Sequence, residues 1–87
     1  MCTNIATKTA VTGSAKTASG WIRVNEATMS FDHANHVWVD HALRIDFVDT
    51  TDEYAGRASV ELDLDSARAL LRRLNEVIDA AISNSLT

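Results

Sequence analysis

The chain has 87 residues, 12 acidic and 8 basic, with a net charge of −4, one cysteine and no proline. Its length gives one domain, spanning residues 1–87, close to the lower limit at which a single core suffices unaided. The acidic balance excludes a phosphate-binding surface of clustered Lys and Arg, the lone Cys2 excludes an intramolecular disulfide framework, and no apolar run is long enough to span a membrane. The opening residues lack a basic stretch followed by an apolar run, so no secretory signal is expected and the cytoplasm is the expected location. Nucleic acid and membrane are accordingly not expected partners.

In chain order, Asn4 to Val11 alternates threonines with small apolar residues and predicts an edge strand. Thr12 to Gly20 is small, polar and bounded by glycines, which predicts a loop able to act as a lid. From Trp21 a second strand begins, but its phase slips. Ile22 and Val24 share one parity while Ala27, Met29 and Phe31 share the other, so a bulge is expected near Asn25 and Glu26. A turn follows at His33 to His36, and Val37, Val39, His41, Leu43, Ile45 and Phe47 then alternate as a third strand. After the polar turn Asp49 to Gly56, the residues Ala58, Val60 and Leu62 predict a fourth.

The clearest element is the C-terminal helix. Ala67, Leu70, Leu71, Leu74, Val77, Ile78, Ala81 and Ile82 fall on one stripe, with Asp63 as N-cap, a small Leu62–Ala67 staple and an Arg72–Glu76 pair. Mixed charges around Arg68, Arg72 and Arg73 read as a solvated face. The expected fold is therefore α+β: a four-stranded antiparallel meander sheet with one long helix packed on one face.

An up-and-down meander brings Cys2, the Asp32–His33–His36 turn with His41, and the junction at Asp63 and Asp65 to one end of the sheet. All three histidines lie within nine positions. Imidazoles with a thiolate or carboxylate are the ligand set that zinc and several redox metals prefer. His33, His36 and His41, with Cys2 or Asp32 as a fourth ligand, are thus the candidate site for a divalent transition metal, zinc first. The spacing matches no named zinc signature, and solvated turn histidines remain the plainer alternative. A bound ion would support metal-assisted hydrolysis or hydration of a small-molecule substrate, with Asp40 managing the proton. Asp32, Asp40, Asp46 and Glu61 are the possible general bases, although Asp46 and Glu61, on the sheet face away from the helix, read more plainly as solvated acids.

Trp21 and Trp38 point to a homo-oligomer through the uncovered sheet face, because the domain is small and tryptophan is enriched at interfaces. The competing function is a non-catalytic homo-oligomeric interaction module. A third possibility is a small-ligand-binding protein whose pocket rim is Trp21, Trp38 and the Thr12 to Gly20 loop.

Met1-Cys2-Thr3, the turn Phe31-Asp32-His33-x-x-His36, the strand His41-Ala42-Leu43-x-Ile45-Asp46-Phe47 and the junction from Val60-Glu61-Leu62 to Leu70 together carry a resemblance. The chain resembles a family of small, mostly actinobacterial proteins of unknown function. The resemblance covers nearly the whole chain and implies that Cys2, His33, His36 and His41 belong to the family pattern. It implies no activity.

Overall fold

The computed structural model describes residues 4–52 and 54–85. Four strands run up and down in chain order and lead into one helix: β1 (Ile5–Thr17), β2 (Gly20–His33), β3 (His41–Val48), β4 (Arg57–Leu62) and α1 (Leu64–Ser83). Every neighbouring pair is antiparallel in the order β1-β2-β3-β4, so the α+β meander expected from the sequence is the observed fold.

The first hairpin departs from expectation. Thr12 to Gly20 is not a loop: β1 continues to Thr17, and a two-residue turn at Ala18 and Ser19 leads into Gly20. The turn is tightened by the Thr17 hydroxyl, which donates to the Gly20 carbonyl at 3.0 Å and accepts from the Ser19 N–H at 3.2 Å. Gly20 itself takes φ +115°, a conformation open to glycine and costly for other residues. Small and polar residues suit this stretch of β1 because most of its side chains face solvent. The bulge lies where the phase slip pointed, but on the opposite strand. Ala10 pairs with Glu26 and Gly13 with Val24, so Val11 and Thr12 together oppose Asn25 while β2 runs on unbroken. Val24 and Ala27, both 4% exposed, are consequently buried on opposite faces of β2.

Register divides the sheet into two unlike faces. One carries Ile5, Met29, Phe31, His33, His41, Leu43, Ile45, Val60 and Leu62, and it is the face that meets α1. The other carries Asp32, Ala42, Arg44, Asp46, Ser59 and Glu61. β3 begins only at His41, later than the alternation from Val37 suggested. Residues 34–40 are instead a bent loop, closed where the Ala34 N–H donates to the Asp40 carbonyl at 3.1 Å.

The start of α1 follows the sequence closely. Asp63 is extended and its Oδ1 accepts from the Ser66 N–H at 2.7 Å, while the acidic Asp65 sits in the first turn, where the helix dipole favours it. Hydrogen bonding from the Ser66 hydroxyl, aided by this capping N–H, holds the Asp63 carboxyl below the ordinary aspartate range. Glu76 pairs with Arg73 at 2.9 Å rather than with Arg72.

As expected, α1 lies on one face of the sheet, but it rests there loosely. No residue of α1 is buried, and Leu70, Leu71, Leu74, Val77, Ile78 and Ile82 are 45–67% exposed. The helix leans over β3 and leaves an apolar wedge of about 340 Å³ between Met29, Leu43 and Ile45 on the sheet and Leu70, Leu71 and Leu74 on its own stripe. The chain accordingly exposes 6845 Å², against roughly 5,000 Å² for a compact monomer of its mass. Its radius of gyration, 14.6 Å, likewise exceeds the ~12 Å usual for this length.

Candidate functional site at the His33–Glu61 end of the sheet

The end of the sheet at which β2 passes into β3 gathers the chemistry-bearing residues, as the meander requires. His33 and His41 are direct cross-strand partners, so their side chains leave the same face. Their rings stack with centroids 4.8 Å apart, and His41 also stacks on Phe31 at 5.7 Å. Two of the three histidines are therefore brought together.

The other proposed ligands lie elsewhere. Asp32 occupies the opposite face of β2, where its Oδ1 accepts from the His33 N–H at 2.8 Å. His36 belongs to the 34–40 loop and lines a cavity on that same opposite face. Asp40 is exposed at the loop's end, and Cys2 lies outside the described residues. Among the described residues, no three His, Cys, Asp or Glu side chains are grouped as a metal ion would require.

The feature that sequence reasoning missed is Glu61. Placed on β4 opposite Arg44, its carboxylate receives three consecutive backbone N–H groups: Asn35 at 2.9 Å, His36 at 2.8 Å and Val37 at 3.4 Å. Successive N–H groups that converge in this way form a cradle for an anion, and here the chain's own carboxylate fills it. The Asn35 bond, aided by those from His36 and Val37 and by the nearby imidazole, holds the Glu61 carboxyl below the ordinary glutamate range against the opposing effect of desolvation. Glu61 thereby folds the loop back over the polar face, where Ala42 is 3% exposed. The surrounding cavity, about 400 Å³, is lined by Asn35, His36, Val37, Arg44 and Ser59. Arg44 is paired there with Asp46 at 3.3 Å, and the Ser59 hydroxyl donates to the same Asp46 carboxylate. Polar groups on this face thus satisfy one another.

The two tryptophans do not share a patch. Trp21 stands at the first-hairpin end of β2, about 40 Å along the strand from His33, whereas Trp38 is in the 34–40 loop. Both are exposed, Trp38 fully. With Thr12 to Gly20 drawn into the hairpin, the ligand-pocket rim expected from these three features is not assembled.

Fold and site define a small α+β protein with an open antiparallel sheet, a loop latched by a carboxylate and an amphipathic helix whose apolar stripe is only partly covered by the sheet. No described helix is long and apolar enough to cross a membrane. The chain belongs to DUF6295, a family of unknown function, whose sequence profile matches residues 1–87. Neither the curated proteins nor the solved structures provide a match.

Proposed function

We propose that this protein is a self-associating, non-catalytic interaction module. The observation that carries this reading is α1, in which six large apolar side chains stay about half exposed along one stripe. Full burial of a Leu, Ile or Val side chain contributes about 1.5–3 kcal/mol, so half exposure forgoes about 1 kcal/mol at each position. A domain near the lower size limit depends on such terms. The surface in excess of a compact monomer, about 1,800 Å² per chain, is the amount that obligate homodimers commonly cover. Sedimentation equilibrium on untagged protein tests the reading. The expected mass is about 19 kDa or a higher multiple of the 9.5 kDa chain. A folded species at the mass of one chain across micromolar concentrations refutes it.

Metal binding is the second reading, favoured by the cross-strand pairing of His33 with His41 on an exposed strand end. Two imidazoles supply half of a tetrahedral zinc set, and Cys2 is the remaining thiolate donor in the chain. Zinc titration followed by calorimetry is expected to give one ion per chain, with the signal lost in His33→Ala. Absence of heat in the wild-type protein removes this reading.

A further inference from the structure

The width of the apolar stripe on α1 is more than one sheet contact uses. At 100° per residue, the positions from Val77 round to Ile82 and Leu64 span about 140° of the helix. Two seams with alternating three- and four-residue spacing run within it. Leu64, Ala67, Leu71, Leu74, Ile78 and Ala81 form one; Ala67, Leu70, Leu74, Val77 and Ala81 form the other. Such spacing suits a second helix lying nearly antiparallel or parallel to the first. The sheet meets only the half of α1 that borders the apolar wedge, and Val77, Ile78 and Ile82 lie outside the wedge lining.

Charges beside the stripe distinguish the occupant. The basic residues Arg68, Arg72 and Arg73 fall in the first half of α1, whereas the acidic Glu76 and Asp79 fall in the second. Arg68 stands four residues after the first residue of the helix and Asp79 four before the last. Eleven residues of α-helix return to within about 20° of the same angular position, so both border the same side of the stripe. A two-fold axis through the middle of α1 therefore sets each Arg68 beside the partner's Asp79, twice per dimer. Among the described residues, neither has an ion pair within its own chain, whereas Arg73 and Glu76 are paired with each other.

Resting on the self-association proposed above, we infer that the occupant of this stripe is α1 of a second copy, packed antiparallel so that Arg68 of each chain faces Asp79 of the other. The arrangement is isologous, with one self-complementary patch used by both subunits. It closes the wedge between α1 and the sheet and covers the second half of the helix, which the sheet does not reach. The interface then differs from one through the uncovered sheet face. It leaves the Glu61 latch and the polar cavity facing solvent on the other side.

Charge reversal and cross-linking test this arrangement in the full chain. Arg68→Asp alone, or Asp79→Arg alone, is expected to weaken dimerisation about tenfold or more by opposing like charges at two symmetric places. The combined Arg68→Asp/Asp79→Arg chain is expected to return to within about threefold of wild type, since the pairs are re-formed with the signs exchanged. In a Cys2→Ser background, Arg68→Cys with Asp79→Cys is expected to give a covalent dimer on mild oxidation. The two positions are about 16 Å apart along one helix and cannot bond within a chain. Either cysteine alone is expected to cross-link poorly, because the antiparallel two-fold leaves like positions about 16 Å apart along the seam. An oligomer indifferent to charge reversal and not linked by the cysteine pair overturns this interface while leaving self-association standing. A monomeric wild-type chain overturns both.

Discussion

Replacing Leu74 by alanine separates a helix that stays open from one that is covered. In the isolated chain, the Leu74 side chain is 52% exposed, so about half of its burial is realised. Full burial of leucine contributes about 1.5–3 kcal/mol, and truncation of the half-covered side chain costs about 1 kcal/mol. If a second helix covers the stripe, the cost rises to the 2–5 kcal/mol of a buried Leu→Ala change and applies in both subunits. Urea unfolding at 1 and 100 μM protein, followed by circular dichroism, gives both quantities. For a folded dimer in equilibrium with unfolded chains, a hundredfold rise in concentration adds about 2.7 kcal/mol of apparent stability. The expected outcome is a concentration-dependent midpoint and a Leu74→Ala cost above 2 kcal/mol per chain. A midpoint independent of concentration, with a cost near 1 kcal/mol, refutes the argument from exposed area.

Other outcomes follow from the latch, the hairpin and the loop. The lowered carboxyl of Glu61 makes its contribution to stability full above the ordinary glutamate pKa, and the contribution is lost as pH falls through the lower folded-state value. Amide exchange at Asn35 and His36 is therefore expected to quicken relative to β3 at acid pH, and in Glu61→Gln at neutral pH; protection that is unchanged in both cases contradicts the latch. Gly13→Ala places a Cβ 3.8 Å from Val24 Cγ2, an ordinary contact, and is expected to stabilise by about 0.4–1 kcal/mol through the unfolded chain. Gly20→Ala must hold φ +115° and is expected to lower Tm; thermal melts of the two variants that move together would defeat this distinction. Trp38→Ala removes a fully exposed ring and is expected to change stability by less than about 0.5 kcal/mol, with sedimentation mass unaltered. A loss of mass there would relocate the subunit contact to the polar side of the sheet.

The legible parts of the sequence are those set by local periodicity. His41 to Phe47 alternates because β3 turns one face to the apolar side of the sheet and the other to the polar side, and the i, i+3, i+4 stripe with Asp63 before it fixes where α1 begins. The bulge was legible in position but not in strand, because a phase slip in β2 records a change in its neighbour without saying which chain carries the extra residue. The Glu61 latch left no local signature. An alternating Glu on an edge strand has the same pattern whether water or three N–H groups surround its carboxylate, and its partners are over twenty residues away. Three histidines within nine positions look like one site in the sequence. A turn that crosses from one face to the other separates His36 from His33 and His41 regardless of that nearness.

Opposite faces of one sheet thus meet different physical demands. The polar face satisfies itself: Glu61 fills the cradle, Arg44 meets Asp46, and Ser59 closes the row. Hydrogen bonds of this kind saturate, so that face needs no further partner to be stable. Apolar surface does not saturate in the same way, because each side chain gains until it is covered. The face carrying Met29, Leu43 and Ile45, together with α1, retains that unmet gain, and one helix leaning over β3 cannot supply it. A second copy is a covering element of matched length and complementary charge, which a chance partner must reproduce by coincidence. Under the proposed self-association, a second copy would supply the cover that this apolar surface lacks within one chain.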